Sequence, residues 1–314
     1  WSSDVCSSDL KDLGQTAIAI TDHGTLSGHR DMQVACKELG VKPILGVEAY
    51  ISSTDRFDKR DIRKRDDNTS VFNHIILLAK NNNGLRNLQK LMQLAWTEGY
   101  YRKPRIDLEI LDEYGDDIIV LSGCMNGLIS KAIEKDELNL AHKYMSWFKN
   151  RFKDDFYVEV QAHNPVELNT KLFELADEYK VKLVATSDSH FATEDQRDLE
   201  EVLLIISTKP DMNKDANYDK AKKIQNVFDR FNYLYPDRPI SFQDINVFIQ
   251  SREQLQNDFA KAGITRTDFL DNTNDIANKI EEYDFYKNLD LLPKPKKDAH
   301  KQLVEMCKQD RKST

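Results

Sequence analysis

Several side chains able to bind a metal or move a proton stand just beyond short apolar runs. Asp22 and His23 follow TAIAI, Cys124 follows DIIVLS across Gly123, and Asp188 and His190 follow KLVATS. Glu48 lies within PILGVEAYI, and Glu159 and His163 lie on or just past FYVEVQ. Imidazole nitrogen, carboxylate oxygen and thiolate sulfur in one place make a donor set for Zn²⁺, or for a similar ion such as Mn²⁺ or Fe²⁺. A single histidine beside one strand is ordinarily just a polar position, and Cys124 alone reads as a small buried hydrophobe. Ligand-type residues at nearly every run are another matter, because a structural core does not require them. Asp188 and His190 would share a face if the strand's pleat reaches that far. Asp22 is placed to orient His23 from behind, as carboxylates commonly do for ligating histidines. His29, His142 and His300 sit in helical stretches and read as ordinary polar positions.

The elements that must position these groups are legible as alternating runs. Strands are expected over 16–20, 43–51, 74–79, 117–122, 156–161 and 182–187. Their continuous apolar character suits buried parallel strands covered by helices. Residues 84–99 place Leu85, Leu88, Leu91, Met92 and Ala95 on one helical face, and 165–180 opens with a proline suited to a first turn. Repeated βα units of this kind predict a closed or nearly closed α/β barrel. In such barrels the loops after the strands' C-terminal ends build the site. His74 fits poorly, because it precedes its apolar run instead of following it.

Composition limits the partners. The chain has 314 residues, with 45 Lys and Arg against 53 Asp and Glu, for a net charge of −8. Gripping DNA by bulk charge would leave a basic footprint, so any nucleic-acid contact rests on a few local residues or on another domain. YYRKPRID is one such local candidate, with Tyr101, Arg102, Lys103 and Arg105 able to stack on and attract a strand. A solvated loop is the plainer reading. The charged segment 52–70 is also most simply a solvated loop, with DNA contact as the sharper alternative. Cys6, Cys36, Cys124 and Cys307 are scattered with no CxxC pattern, which fits a reducing cytoplasm. No apolar run approaches the ~20 residues of a membrane span, and no signal peptide is recognisable. After Asp211 the pattern turns to polar helices. A helical region over 252–283 closes the first domain, taken as 11–285. Residues 286–309 read as a linker (LPKPKKD) and the start of a next domain, with a helix from 299 to 308.

The two ends stand apart. WSSDVCSSDL, residues 1–10, can be encoded by a common short-read sequencing adapter. DRKST, residues 310–314, is read from the reverse complement of the same oligonucleotide. Both are therefore expected to be adapter-derived and are left out of fold reasoning.

The set AIAITDHG, GVEAY, FNHIILLAKN, YYRKPRID, LSGCMNG, FYVEVQAH and TSDSHF resembles the PHP domain of bacterial DNA polymerase III alpha subunits. The resemblance runs from about Lys11 to Tyr283. TDH and D-x-H alone indicate only the wider PHP superfamily, whereas FNHIILLAKN, YYRKPRID and LSGCMNG together are specific to the polymerase. It implies a distorted seven-stranded α/β barrel, with six strands here and the first lost upstream. It also implies a cluster of up to three metal ions, for which His23, Glu48, His74, Cys124, Asp188 and His190 match family ligands. An H-x-H pair and an Asp that complete the family's set are absent, so the chain alone is expected to be largely inactive. The activity the resemblance implies for the intact domain is phosphodiester hydrolysis, in the form of 3′–5′ exonuclease proofreading. DNA synthesis would use Mg²⁺ held by palm carboxylates beyond Thr314, and DNA, the sliding clamp and other replisome subunits would be partners of the parent protein. A stand-alone phosphatase of the histidinol-phosphatase type and a non-catalytic scaffold module are the alternatives.

Overall fold

The computed structural model describes residues 10, 13–60, 72–283 and 298–313. Cys6, the 61–70 part of the charged segment and all of the LPKPKKD linker but its last residue, Asp298, lie outside the described residues. The chain divides into two units, Trp1–Tyr283 and Asp284–Thr314.

The larger unit is an α/β structure built on one mixed, seven-stranded sheet. Its elements run β1 (Ala17–Ile20), α1 (His29–Leu39), β2 (Lys42–Ile51), β3 (Asn73–Ala79), α2 (Asn82–Thr97), β4 (Arg105–Ile106), α3 (Leu108–Tyr114) and β5 (Ile118–Leu121). There follow α4 (Leu128–Glu134), α5 (Leu138–Phe152), β6 (Phe156–Gln161), α6 (Val166–Tyr179), β7 (Lys182–Thr186) and α7 (Arg197–Thr208). The remaining helices of this unit are α8 (Tyr218–Lys223), α9 (Val227–Leu234), α10 (Arg252–Lys261) and α11 (Asn272–Lys279). The described part of the second unit is one helix, α12 (Ala299–Ser313). It extends past the expected end at 308 and through residues set aside as adapter-derived.

Strand order is β1-β2-β3-β5-β6-β7, with β4 pairing β2 beyond the end of β1. The sheet curls into a half-barrel, and β1 and β7 do not pair with each other among the described residues. The all-parallel expectation is corrected at one strand. β3 is antiparallel to both neighbours, with Glu48 opposite Ile76, Tyr50 opposite His74, and Ile76 opposite Leu121. A strand buried on both faces reads as the same apolar run in either direction, so hydrophobic pattern alone cannot show which way it points. The described sheet reaches seven strands by counting the two-residue β4, too short to leave a periodic signal.

Helix α2 forms as its pattern predicts. Asn81 caps it by accepting from the Asn83 and Gly84 amides, and Leu85, Leu88, Leu91, Met92 and Ala95 are buried. Pro165 is the N-cap of α6, not a first-turn residue. The 252–283 region is two helices, α10 and α11, joined by an irregular stretch. It is fastened to the sheet by polar contacts. Lys42 Nζ donates to the Ala277 carbonyl at 2.7 Å, and the Leu45 amide donates to the Tyr283 hydroxyl at 2.7 Å. Leu10, at the edge of the N-terminal segment set aside above, is buried in a cluster with Cys36, Val41, Ala192 and Ile249.

Candidate metal centre

The reversed direction of β3 explains the residue that sequence spacing could not select. The other strands present their C-terminal ends at one rim, and β3 presents its N-terminal end there. His74 therefore meets groups that follow their strands. Its Nδ1 lies 2.7 Å from Glu48 Oε1, and His23 Nδ1 lies 3.6 Å from Glu48 Oε2. Donor atoms of His23, Glu48 and His74 all fall within 4.8 Å of one another. A parallel bridge between His23 and Glu48 fixes this approach through the backbone.

Cys124 arrives by a glycine turn. Gly123 adopts φ 84°, and a Cβ there would stand 2.7 Å from the His74 carbonyl oxygen. Only glycine allows that path at no steric cost. Cys124 Sγ thereby comes within 3.5 Å of His74 Nδ1. On the far side, the His190 ring centroid is 6.3 Å from that of His23. The Asp188–His190 pair does not follow the pleat, because β7 ends at Thr186 and Asp188 adopts φ 49°. Left-handed backbone is uncommon outside glycine, and in a bulkier residue would mark strain; aspartate tolerates it better than most. This turn brings His190 Nδ1 to 2.7 Å from the Asp188 carbonyl oxygen and 4.0 Å from its carboxylate. Phe242 packs against the His190 ring at 4.7 Å, and the His190 amide donates to Val247 O at 2.8 Å.

Glu159 is buried beneath the rim. Its Oε1 accepts from the Thr186 hydroxyl at 2.5 Å and from Gln161 Nε2 at 2.9 Å. His163 feels the charges of Asp188 and His190. Among the described residues no hydrogen bond or ion pair joins Asp22 to His23. Its carboxylate faces the Gly28 Cα and acts electrostatically on His29. His29 itself is not a surface position. It is wholly buried, with Nε2 2.7 Å from the Gly46 carbonyl oxygen on β2.

Protonation follows from burial. The Glu48 carboxyl is pushed up to about 7, chiefly by desolvation and further by Asp188, against the pull of His23. Desolvation takes His74 down to about 4 and lowers His23 and His163. Burial, then the charges of Asp188 and Glu48, push the Cys124 thiol up, so it is no standing thiolate. Glu159 rises to about 8 for the same first reason. Burial drives each group towards its uncharged form, so the close His74–Glu48 contact gains little from being charged on both sides. A divalent cation is the species that reverses this, because it replaces protons with a larger charge in the same place. The mixed nitrogen, oxygen and sulfur donors fit such an ion.

The predicted nucleic-acid contacts separate into two kinds. Arg105 is wholly buried and donates to the carbonyls of Gly99, Asp58 and Arg56 at 3.1, 2.8 and 2.9 Å, so it is an internal strut, unavailable to a strand. Tyr101 is half-buried, and Arg102 and Lys103 are exposed. Lys103 Nζ lies 5.2 Å from the Tyr50 ring centroid. In the described part of the charged segment, Arg56 turns inward to Glu98, Asp107 and Glu109 instead of being solvated.

Residues 6–163 match the family model described as PHP domain. The chain belongs to the PHP domain family. Among curated proteins, this PHP chain is 40% identical over 203 residues to the DNA polymerase III subunit alpha of Aquifex aeolicus, an alignment covering 63% of this chain and 18% of that protein. It is 32% identical over 282 residues to that of Borreliella burgdorferi, covering 88% of this chain and 22% of that protein. It is 39% identical over 196 residues to that of Thermus aquaticus, covering 62% and 16%. The chain thus spans between 16% and 22% of the length of these relatives. Among the described residues, no helix is long and apolar enough to cross a membrane.

Proposed function

We propose that this chain is the PHP portion of a DNA polymerase III alpha subunit and that its rim holds divalent transition ions for phosphodiester hydrolysis, acting as a 3′–5′ exonuclease in the parent protein. The observation that carries the reading is the convergence of His23, Glu48 and His74 within 4.8 Å. His23, Glu48 and His74 would hold such an ion between them, with both imidazoles already beside the Glu48 carboxylate. Cys124, Asp188 and His190, around the same rim, would add to this donor set, which an upstream H-x-H pair and an Asp would complete. Bound there, such ions would supply Lewis acidity towards phosphoryl oxygen and acidify water near neutral pH. The chain's own contribution is orientation and exclusion. Phe242 walls off His190, Tyr50 stacks on His23 at 5.7 Å, and Lys103 offers positive charge to an incoming phosphate. Its similarity to polymerase subunits favours a nucleic-acid diester over a small phosphomonoester.

DNA synthesis with Mg²⁺, contact with the sliding clamp and other replisome subunits, and a cytoplasmic location belong to the same proposal, as properties of the parent protein. The test is a polypeptide carrying this sequence together with an upstream H-x-H element, assayed with Zn²⁺ or Mn²⁺ on 3′-labelled single-stranded DNA and on histidinol phosphate. Stepwise loss of 3′ nucleotides, abolished by His74→Ala, is expected. Cleavage of the monoester alone would move the assignment to a phosphatase, and inactivity on both with under one metal per chain would leave a scaffold.

A further inference from the structure

Trp96 and Tyr100 stack on one another with centroids 5.5 Å apart and planes at 18°, yet they are 53% and 48% exposed. The core-facing stripe of α2 does not need Trp96, since its buried residues are Leu85, Leu88, Leu91, Met92 and Ala95. The indole is nevertheless held in place, because Nε1 donates to the Gly24 carbonyl oxygen at 3.0 Å. Gly24 is the residue after His23. It adopts φ 64°, and a Cβ there would come within 2.9 Å of Pro104 Cγ and 3.1 Å of the Tyr50 ring. The segment from Trp96 to Pro104 is thus pressed against the backbone that carries His23.

Cationic groups lie along the same edge. The Tyr101 amide donates to the Lys103 carbonyl at 3.1 Å, and Arg102 at the tip of this turn adopts φ 63°. The turn projects Arg102 and Lys103 into solvent and lays Lys103 near the ring of Tyr50, which stacks on His23 at 15°. An anchored aromatic face, a cation and a metal-type donor cluster therefore follow one another along one rim. Nucleobases stack on aromatic faces whatever their identity, and backbone phosphates need nearby cations.

We propose that the Trp96–Tyr100 pair is a nucleobase-stacking subsite which, with Lys103, holds the unpaired end of a nucleic-acid strand while its phosphodiester lies at His23, Glu48 and His74. The inference rests on the phosphodiesterase reading and adds to it the substrate's single-stranded character and the residues that grip the base.

The test uses the 314-residue chain with chelator present, so that no cleavage intervenes. Fluorescence anisotropy measures binding of a labelled oligothymidylate and of an abasic phosphodiester of equal length. Trp96→Ala and Tyr100→Ala are each expected to weaken the oligothymidylate on the order of tenfold and to leave the abasic strand unchanged. Lys103→Ala should weaken both, and Trp96→Phe should retain binding, since it keeps the aromatic face and loses only the bond to Gly24. The proposal is overturned if the wild-type chain binds neither probe, or if the alanine variants change neither probe or both equally. It is also overturned if Trp96→Phe loses as much as Trp96→Ala, or if Trp96→Ala converts a dimer to a monomer, which would make the pair an interface between copies. Failure here with metal binding intact removes the subsite and leaves the hydrolase reading standing.

Discussion

His74 Nδ1 stands 2.7 Å from Glu48 Oε1 because β3 runs against β2, with His74 opposite Tyr50 in the register. The contact joins a residue that opens its strand to one near the end of the preceding strand. Replacing either partner should loosen any metal held between them. His74→Ala is expected to lower Zn²⁺ or Mn²⁺ affinity by roughly tenfold or more. His142→Ala, whose ring meets the Tyr179 hydroxyl at 3.1 Å far from this rim, should leave affinity unchanged. Isothermal titration of both variants decides between a shared site and a packing contact.

Metal affinity should depend on pH with a definite sign. Burial raises Glu48 to about 7, so below that pH an incoming ion must displace its proton. Glu48's share of this dependence is expected to fade above about pH 7.5 and to cost about tenfold in affinity per pH unit below pH 7, on top of the continuing rise with pH that displacing the buried Cys124 thiol proton adds. A profile that is flat down to pH 5 would show that Glu48 is not a ligand.

The two buried cysteines should part company. Cys124 Sγ faces His74, whereas Cys36 packs with Leu10, Val41, Ala192 and Ile249. Cys124→Ser should weaken metal binding, because a bound ion favours the thiolate that burial otherwise opposes. Cys36→Ser should leave metal binding intact and lower the melting temperature. Equal effects on metal binding would return Cys124 to the core.

Glu159 makes a stability prediction for the metal-free protein. In the folded chain it keeps its proton up to about 8, while in the unfolded chain it releases it at the ordinary value of 4.5. Between those limits the native state binds the extra proton, so stability falls as pH rises and levels off above pH 8. Glu159→Gln removes this dependence. Its melting temperature should exceed that of the wild type by a margin that widens from pH 5 to pH 8. A constant margin would mean that Glu159 is ionised in the fold.

Arg105 and Lys103 should behave oppositely although they share one motif. Arg105→Ala strands three backbone carbonyls in the interior, at a cost of about 3 kcal/mol. Lys103→Ala should leave thermal unfolding unchanged. Similar melting curves for the two variants would contradict the strut.

Much of this was legible in the residues. The six longer strands fall where apolar runs placed them, because buried strands leave a continuous signal over several residues. The groups at their ends were visible for the same reason. Direction was not legible, since an apolar run reads alike both ways, and with direction went His74. Arg105 escaped because a cation in a charged motif looks solvated, and only the fold supplies the carbonyls that bury it. Asp22 was assigned by proximity in sequence, while the turn after β1 swings it towards Gly28. Trp96 carried no signal at all, since one exposed aromatic on a helix is unremarkable until the backbone of Gly24 is found beneath it.

The central claim is that His23, Glu48 and His74 hold a divalent ion together. Its most direct test is metal content by plasma mass spectrometry after loading with Zn²⁺ or Mn²⁺ and exhaustive dialysis, on the wild-type chain and on Glu48→Ala and His74→Ala. At least one ion per wild-type chain, lost in both variants, is the predicted result. Less than one ion in the wild type, or equal retention in all three proteins, would contradict it.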